Sequence, residues 1–381
     1  MDQANDDVAM AQAVALGERG RETSAPNPWV GCVVVRDGRV VGEGYHRRAG
    51  EPHAEAHALG QAGDLARGAT AYVTLEPCAH HGRTPPCVDT LLSAGIARVV
   101  VGVLDPDRQV SGRGVAGLRA AGVDVQVGVG AAAVCESLAP YLHQRQTGRA
   151  YAVLKAAISL DGRTAAADGS SQWISGPAAR ADAHALRARS QAVLVGSGTA
   201  LADRPRLTVR DASRQPDRQP LRVLLDARGV VPASGPLFDL SLAPTLVLTS
   251  EVADRAAVRA WCAAGAEVEI LPLACDRGGV DLSSALHALG RRGVLQVLVE
   301  GGARVHAGFA RARLVDRLVL YMGPRTLGAE GRPLLAGPGP RSLADADHWQ
   351  LLDVRRVGQD VRLEYAPLNH QQEGVGVGCA G

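Results

Sequence analysis

The sequence predicts an α/β protein of two consecutive domains, and three observations carry that prediction. The chain has 381 residues, more than one hydrophobic core usually serves. β-rich apolar runs alternate with helix-forming stretches along both halves. Near residues 146–150 the pattern resets, which divides the chain into 1–147 and 148–367. A glycine-rich tail, expected to be disordered, follows over 368–381.

The first domain opens with a helical stretch over 10–19. Two short β-rich runs, 31–35 and 40–45, flank Asp37-Gly38, a pair suited to a two-residue hairpin turn. A helix is expected over 52–62, then a buried strand over 69–75 ending at Glu76-Pro77. A helix over 86–94 stops at Gly95. A strand over 98–103, a helix over 112–121 and a strand over 123–127 complete one sheet covered by helices. The second domain begins with an apolar strand over 151–159 and a helix over 178–189. A strand over 192–195 runs into Gly196-Ser197-Gly198. Strands over 221–225, 244–249 and 268–271 follow, with a helix over 254–264. A strand over 294–299 ends at Glu300-Gly301-Gly302 and leads into a helix reaching 312. The last strands are 317–322, 350–357 and 361–365, and no internal repeat is evident.

Composition narrows the function classes. Apolar residues make up 46% and charged residues 21%, ordinary for a soluble globular protein. A net charge of +2 gives no electrostatic case for nucleic acid or a membrane surface. Two Phe and six Tyr are too few for base-stacking platforms. Residues 1–8 carry three Asp and no apolar core, so no secretory signal is expected. No uninterrupted run of about 18 apolar residues marks a spanning helix, and a cytoplasmic location is the expectation. The cysteines, Cys32, Cys78, Cys87, Cys135, Cys262, Cys275 and Cys379, are odd in number and scattered. Reduced thiols, two of them on a metal, are expected rather than a disulfide framework. Among the basic residues, 40 are Arg and one is Lys155. An ammonium kept among so many guanidiniums singles out position 155, because the two groups are not interchangeable in a tight site.

The stretch from His53 to Cys87 carries the clearest chemistry. It reads His53-Ala54-Glu55, then Pro77-Cys78, then Cys87. One imidazole and two thiolates suit zinc, and three protein ligands leave a fourth, open position. Glu55 is placed to move protons. Zinc deaminases carry His-x-Glu with Pro-Cys-x-x-Cys, the Glu acting as acid and base. Here eight residues separate the cysteines instead of two. Residues two apart do not share a helix face, so His53 and Glu55 can meet one metal only if a helix start points at it. Unpaired N–H groups at helix starts would favour the thiolates. A closed structural site completed by His80 or His81 is the alternative, but it leaves the placement of Glu55 unexplained.

These segments resemble the bifunctional riboflavin-biosynthesis deaminase/reductase family. The resemblance rests on Pro26-Asn27-Pro28-Trp29-Val30-Gly31, Gly42-Glu43-Gly44-Tyr45-His46 and Gly50-Glu51-Pro52-His53-Ala54-Glu55. It rests above all on Thr74-Leu75-Glu76-Pro77-Cys78-Ala79-His80-His81-Gly82-Arg83-Thr84-Pro85-Pro86-Cys87. It continues through Lys155-Ala156-Ala157-Ile158-Ser159-Leu160-Asp161-Gly162-Arg163, Ser171-Gln172-Trp173-Ile174, Leu201-Ala202-Asp203, Leu207-Thr208-Val209-Arg210 and Glu300-Gly301-Gly302. It spans roughly residues 8–366. The resemblance implies a cytidine-deaminase-like first domain and a dihydrofolate-reductase-like second one. The first would deaminate 2,5-diamino-6-ribosylamino-4(3H)-pyrimidinone 5′-phosphate with one zinc ion per chain. The second would reduce the ribosyl chain to ribityl with NADPH. A homo-oligomer is also implied, acting on a small nucleotide rather than on nucleic acid.

The same resemblance implies site residues. His53, Cys78 and Cys87 would hold zinc, Glu55 would carry protons, and Asn27, His46 and Arg83 would contact the pyrimidine. Ala157, Trp173, Thr199 and Asp203 would contact NADPH, with Gly302, Ala303, Arg304, Val305, His306, Ala307 and Gly308. Ser171, Arg187, Leu207, Arg210 and Glu300 would hold the substrate, the two arginines suiting a sugar phosphate. Lys155 would orient the sugar or move a proton during hydride transfer. From the residues alone, no Gly-x-Gly-x-x-Gly signals an ordinary dinucleotide site, because Leu201 stands where the third glycine would be. Glu300-Gly301-Gly302, at a strand-to-helix junction, is the better candidate for approach to a phosphate. Two positions depart from the family's pattern. Asp107 stands where Asn is usual, and Arg204 stands where a second Asp is expected.

Overall fold

The structure, a computed structural model, describes residues 3–80, 85–210, 218–275 and 278–368. The chain forms two compact units that divide between Gly148 and Arg149.

In the first unit, helix α1 (Gln3–Glu18) precedes the hairpin of β1 (Gly31–Arg36) and β2 (Arg39–Tyr45). Asp37 and Gly38 both take positive φ, 49° and 73°, the conformation a two-residue hairpin turn requires. Then come α2 (Ala54–Ala62), β3 (Thr70–Leu75), α3 (Cys87–Ser93), β4 (Arg98–Val103), α4 (Arg113–Ala120), β5 (Asp124–Val127) and α5 (Ala131–Thr147). The sheet order is β2-β1-β3-β4-β5. β1 runs antiparallel to β2 and β3, whereas β3, β4 and β5 are parallel. Two glycines bring α2 against the hairpin: a Cβ on Gly44 would lie 2.2 Å from the Ala54 carbonyl oxygen, and one on Gly42 would lie 2.1 Å from that of Ala58. Any side chain at either place would lift the first turn of α2, and with it Glu55, off the sheet.

A polar cluster ties α1 to the sheet. The Arg98 guanidinium donates to both oxygens of buried Asp6 at 2.9 and 2.7 Å, and the Tyr72 hydroxyl donates at 2.7 Å. These bonds, Arg98 first, hold the Asp6 carboxyl below its ordinary value. The stability this adds is complete above the unfolded carboxylate value and is lost as pH falls through the lower folded one. Asp6→Asn is expected to cost about 2 kcal/mol at neutral pH and to flatten the loss of stability below about pH 4. Urea titrations of both proteins across that range check it.

The second unit contains β6 (Tyr151–Ile158), β7 (Arg163–Ala165), α6 (Pro177–Ala188), β8 (Ala192–Gly196) and α7 (Ser197–Asp203). It continues with β9 (Leu221–Leu225), β10 (Thr245–Ser250), α8 (Arg255–Ala263), β11 (Glu267–Leu271) and α9 (Leu282–Arg291). It ends with β12 (Gln296–Val299), α10 (Ala303–Arg311), β13 (Arg317–Met322), β14 (Arg332–Pro333), β15 (Trp349–Val357) and β16 (Asp360–Pro367). Nine strands form one sheet in the order β11-β10-β9-β8-β12-β6-β13-β16-β15. The run from β11 to β13 is parallel, and β16 and β15 extend it antiparallel. Alternate residues of the central strands feed two cores. One contains Leu154, Leu194 and Val223 with Leu286 and Phe309; the other contains Val193, Val195 and Leu224 with Ala179, Ala183 and Trp261. Both faces are therefore covered, as parallel strands require.

Several elements depart from expectation. α5 was not anticipated: it follows Gly128 and Gly130 and holds Pro140 inside it, the residue that normally breaks a helix. α7 is a short helix directly after the Gly196 junction. α9 was also missed, although Asp281 caps it by accepting from Ser284 N at 2.7 Å and Leu282, Leu286 and Leu289 keep helical spacing. Cys32, Cys78, Cys87, Cys262 and Cys275 are free thiols. Cys135 is disulfide-bonded, against the expectation of reduced thiols throughout. From residue 369 onward the expected tail lies outside the described residues.

Candidate active sites

The first site forms where two helices begin. His53 is the N-cap of α2, in extended conformation, so it lies outside the helical spiral and Glu55 need not share a face with it. Cys87 opens α3, and Cys78 precedes it on the loop after β3. His53 Nδ1 is 3.2 Å from Cys87 Sγ and 3.6 Å from Cys78 Sγ, and the three donor atoms lie within 4.8 Å of one another. A tetrahedral zinc site has ligand–ligand edges of roughly 3.3–3.8 Å, so the donors fit that ion in kind and in spacing. The Cys87 backbone N–H donates to Cys78 Sγ at 3.4 Å. A hydrogen bond from the Cys87 thiol, then the His53 imidazole, pull Cys78 down to about 4 against the opposing effect of burial. Bonding to Cys78 and burial push the Cys87 thiol up. These directions favour the thiolate form at Cys78, the form in which a cysteine binds a metal.

Glu55 is 3% exposed. Burial raises its carboxyl above the ordinary range, with His53 opposing. A raised carboxylate at a metal-ligand cluster suits a group that both takes and returns a proton. Asn27 Nδ2 lies 3.1 Å from His46 Nε2, and His46 Nδ1 lies 3.2 Å from the Pro52 carbonyl oxygen. Burial lowers His46, which favours the neutral ring. Nδ1–H then donates to Pro52, leaving Nε2 to accept from Asn27. The His46 ring stands edge-on to His53, with centroids 5.3 Å apart. Three candidates from separate segments, Asn27, His46 and His53, therefore adjoin. Arg83 lies outside the described residues. Asp107 pairs with Arg145 Nε at 3.3 Å and accepts from Gln109 N at 3.0 Å. Its carboxylate caps its own loop, a role an amide would fill without the ion pair.

The second site gathers at the ends of β6, β8 and β12. Glu300 follows β12. Arg187, in the last turn of α6, donates to it through Nε at 2.6 Å and Nη2 at 2.8 Å. Arg187 Nη1 donates to the Thr208 carbonyl oxygen at 3.0 Å. Burial pushes Glu300 up, but Arg187 and then Lys155 outweigh it and hold the carboxyl at about 2. Lys155, on β6, is lowered by burial, with Glu300 opposing, and its Nζ lies 5.9 Å from the centre of the Tyr321 ring. The Arg187 fork grips the Glu300 carboxylate and the Thr208 carbonyl oxygen, and so orders the site. Leu207, at φ 53°, puts its side chain into the core, while Arg210 is exposed and its N–H donates to His184 Nδ1 at 3.2 Å.

Thr199 Oγ1 accepts from Gly302 N at 2.8 Å, which joins the β8–α7 junction to the β12–α10 junction. Val305 packs into both turns: a Cβ on Gly196 would lie 2.6 Å from its Cγ2, and one on Gly301 2.9 Å from its Cβ. The first turn of α10 offers the N–H groups of Ala303 and Arg304, which no helix satisfies internally. The expected contact stretch is not uniform, however. Helical geometry turns His306 and Ala307 inward, where both are buried, and burial lowers His306 to about 4. Ala157 is half-buried on β6, and Ser171 is half-buried while Asp203 is exposed. Trp173 is 57% exposed, with the Arg180 guanidinium 4.4 Å from its ring centre, so it is no core residue. Arg204 sits at φ 41°, a left-handed conformation that Asp tolerates better than Arg; this departure carries a local backbone cost.

A family model described as the RibD C-terminal domain matches residues 150–363. Another, the zinc-binding region of cytidine and deoxycytidylate deaminases, matches residues 3–103. The chain is 47% identical over 367 residues to the riboflavin biosynthesis protein RibD of Chlamydia trachomatis, covering 96% of each. Its identity to the RibD of Escherichia coli is 44%, over 94% of this chain and 98% of that one. Among solved structures, RibD of Acinetobacter baumannii matches with a TM-score of 0.86 at 38% identity, over 97% of this chain and 100% of that chain. A diaminohydroxyphosphoribosylaminopyrimidine deaminase/5-amino-6-(5-phosphoribosylamino)uracil reductase from Thermotoga maritima matches with a TM-score of 0.83 at 34% identity, over 96% and 99%.

Proposed function

The chain belongs to the RibD family, the bifunctional deaminases and reductases of riboflavin biosynthesis, and from that premise we propose which residues carry each reaction. The chain deaminates 2,5-diamino-6-ribosylamino-4(3H)-pyrimidinone 5′-phosphate and then reduces the ribosyl chain, giving 5-amino-6-ribitylamino-uracil 5′-phosphate. We assign deamination to residues 1–147 and reduction to 148–367.

In the first half, His53, Cys78 and Cys87 would hold zinc, which when bound would make water nucleophilic near neutral pH. Glu55 takes one proton from the attacking water and gives it to the ring nitrogen, then takes the second from the added hydroxyl and gives it to the leaving amine, so water and an amino group become a carbonyl and ammonia. Asn27 and the neutral His46 orient the pyrimidine. The observation that carries this reading is the convergence of one imidazole, two thiols and a buried carboxyl at the starts of α2 and α3. In the second half, NADPH when bound would supply the hydride. The start of α10 and Thr199 receive the cofactor. Glu300, fixed by Arg187, holds the sugar beside Lys155, which orients it or moves a proton.

Mass spectrometry of products formed from the diamino substrate tests both halves. Without NADPH, an amino nitrogen is exchanged for oxygen; with NADPH, two hydrogens are added. Failure to oxidise NADPH when the deaminated intermediate is supplied would remove the reductase assignment. No helix among the described residues is long and apolar enough to cross a membrane. A homo-oligomer is supported by β15, which exposes Leu351, Leu352 and Val354 along the edge of the sheet.

A further inference from the structure

We propose that Glu76 is a positioning residue that sets the place of Cys78 in the metal site. The inference rests on the reading that His53, Cys78 and Cys87 hold zinc. Glu76 follows β3, is 4% exposed, and belongs to neither the ligand set nor the proton path. Its backbone N–H still pairs with the Val103 carbonyl at 3.0 Å, so the residue is anchored to the sheet. Its carboxylate accepts four backbone N–H groups. Oε1 takes those of Gly114 and Val115 at 2.9 and 3.1 Å, and Oε2 takes those of Gly112 and Asp105 at 2.9 and 3.3 Å. Three of the four donors are at the start of α4, where a negative charge meets the positive end of the helix.

The clamp draws α4 onto the ligand loop. A Cβ on Gly114 would lie only 1.9 Å from the Pro77 carbonyl oxygen, so the helix start rests directly on the residue before Cys78. From the other side, the Cys78 carbonyl accepts from Val88 N at 3.2 Å, and Cys78 Sγ from Cys87 N at 3.4 Å. Cys78 is thereby held between two helix starts. Glutamine at position 76 would aim an amide N–H₂ at N–H donors. The pull on α4 would weaken, and the Pro77–Cys78 backbone would lose its backstop. Groups that hold a metal ligand in place typically change metal affinity 10–100-fold when removed.

The test loads the full-length chain with Co²⁺ and measures its affinity by chelator competition and its thiolate charge-transfer and d–d bands. Glu76→Gln is expected to bind Co²⁺ about 10–100-fold more weakly, with altered bands, while NADPH oxidation with the deaminated intermediate stays at the wild-type rate. Asp6→Asn, destabilising in the same unit through α1, is expected to keep the wild-type affinity and spectrum. Glu76→Asp retains the charge at shorter reach, should bind Co²⁺ with intermediate affinity, and is the variant to read where Glu76→Gln does not fold. Wild-type affinity and bands in the Glu76 variants, whatever their melting temperatures, overturn the proposal, as does an equal loss in Asp6→Asn. A wild-type chain that takes up no Co²⁺ overturns the metal assignment itself, a result distinguishable from both.

Discussion

Glu55→Gln is expected to lower deamination by roughly a hundred- to ten-thousandfold, the range a positioned acid/base contributes, while zinc content and reduction stay at wild-type levels. Glutamine nearly matches the side chain in volume, so the packing of α2 on β2, set by Gly42 and Gly44, is kept. It cannot carry a proton between water and the leaving amine. Because Glu55 is buried and its carboxyl raised, exchange for a neutral amide leaves no unpaired charge, and folding should not suffer. The measurements are ammonia release, zinc by atomic emission, and NADPH oxidation with the intermediate supplied. Deamination within tenfold of wild type in the zinc-loaded variant would remove Glu55 from the proton path.

Glu300→Ala is expected to abolish reduction and to destabilise the second unit by about 3–5 kcal/mol, the cost of breaking a buried ion pair. Arg187 and Glu300 are only 14% and 10% exposed at their side chains, and Lys155 faces the same carboxylate. The substitution strands two cations and also frees the fork that holds the Thr208 carbonyl. Deamination, catalysed in the other unit, should persist. Urea unfolding and separate assays of the two reactions check this. A stability change within about 0.5 kcal/mol, the range of an ordinary surface substitution, would show that the pair is not the organiser of this site.

Local signals made much of the fold legible. The turn at Asp37-Gly38, the apolar strands and the helix of Pro177–Ala188 fall close to expectation because each is written in adjacent residues. α5 was hidden by Pro140, whose disruptive tendency the surrounding packing overrides. Among the described residues, the brief β7 and β14 pair with each other alone, across a separation no local pattern announces.

By itself, the sequence pointed to a zinc-type donor set in His53, Cys78 and Cys87 with a carboxyl, Glu55, two residues from the first, because zinc prefers nitrogen and sulfur ligands. It also determined the two-domain α/β plan through hydrophobic period. Only the tertiary structure decided how those donors come together: His53 leaves the helix as an N-cap, Cys87 opens another, and Glu76 binds a third to the loop between them. It alone showed that Arg187 is committed to Glu300, and that His306 and Ala307 turn into the core. The physical reason is the same in each case. Residue identity sets what a group can do, but its partners and burial depend on contacts far apart in the chain, and these exist only once the sheets and helices have packed.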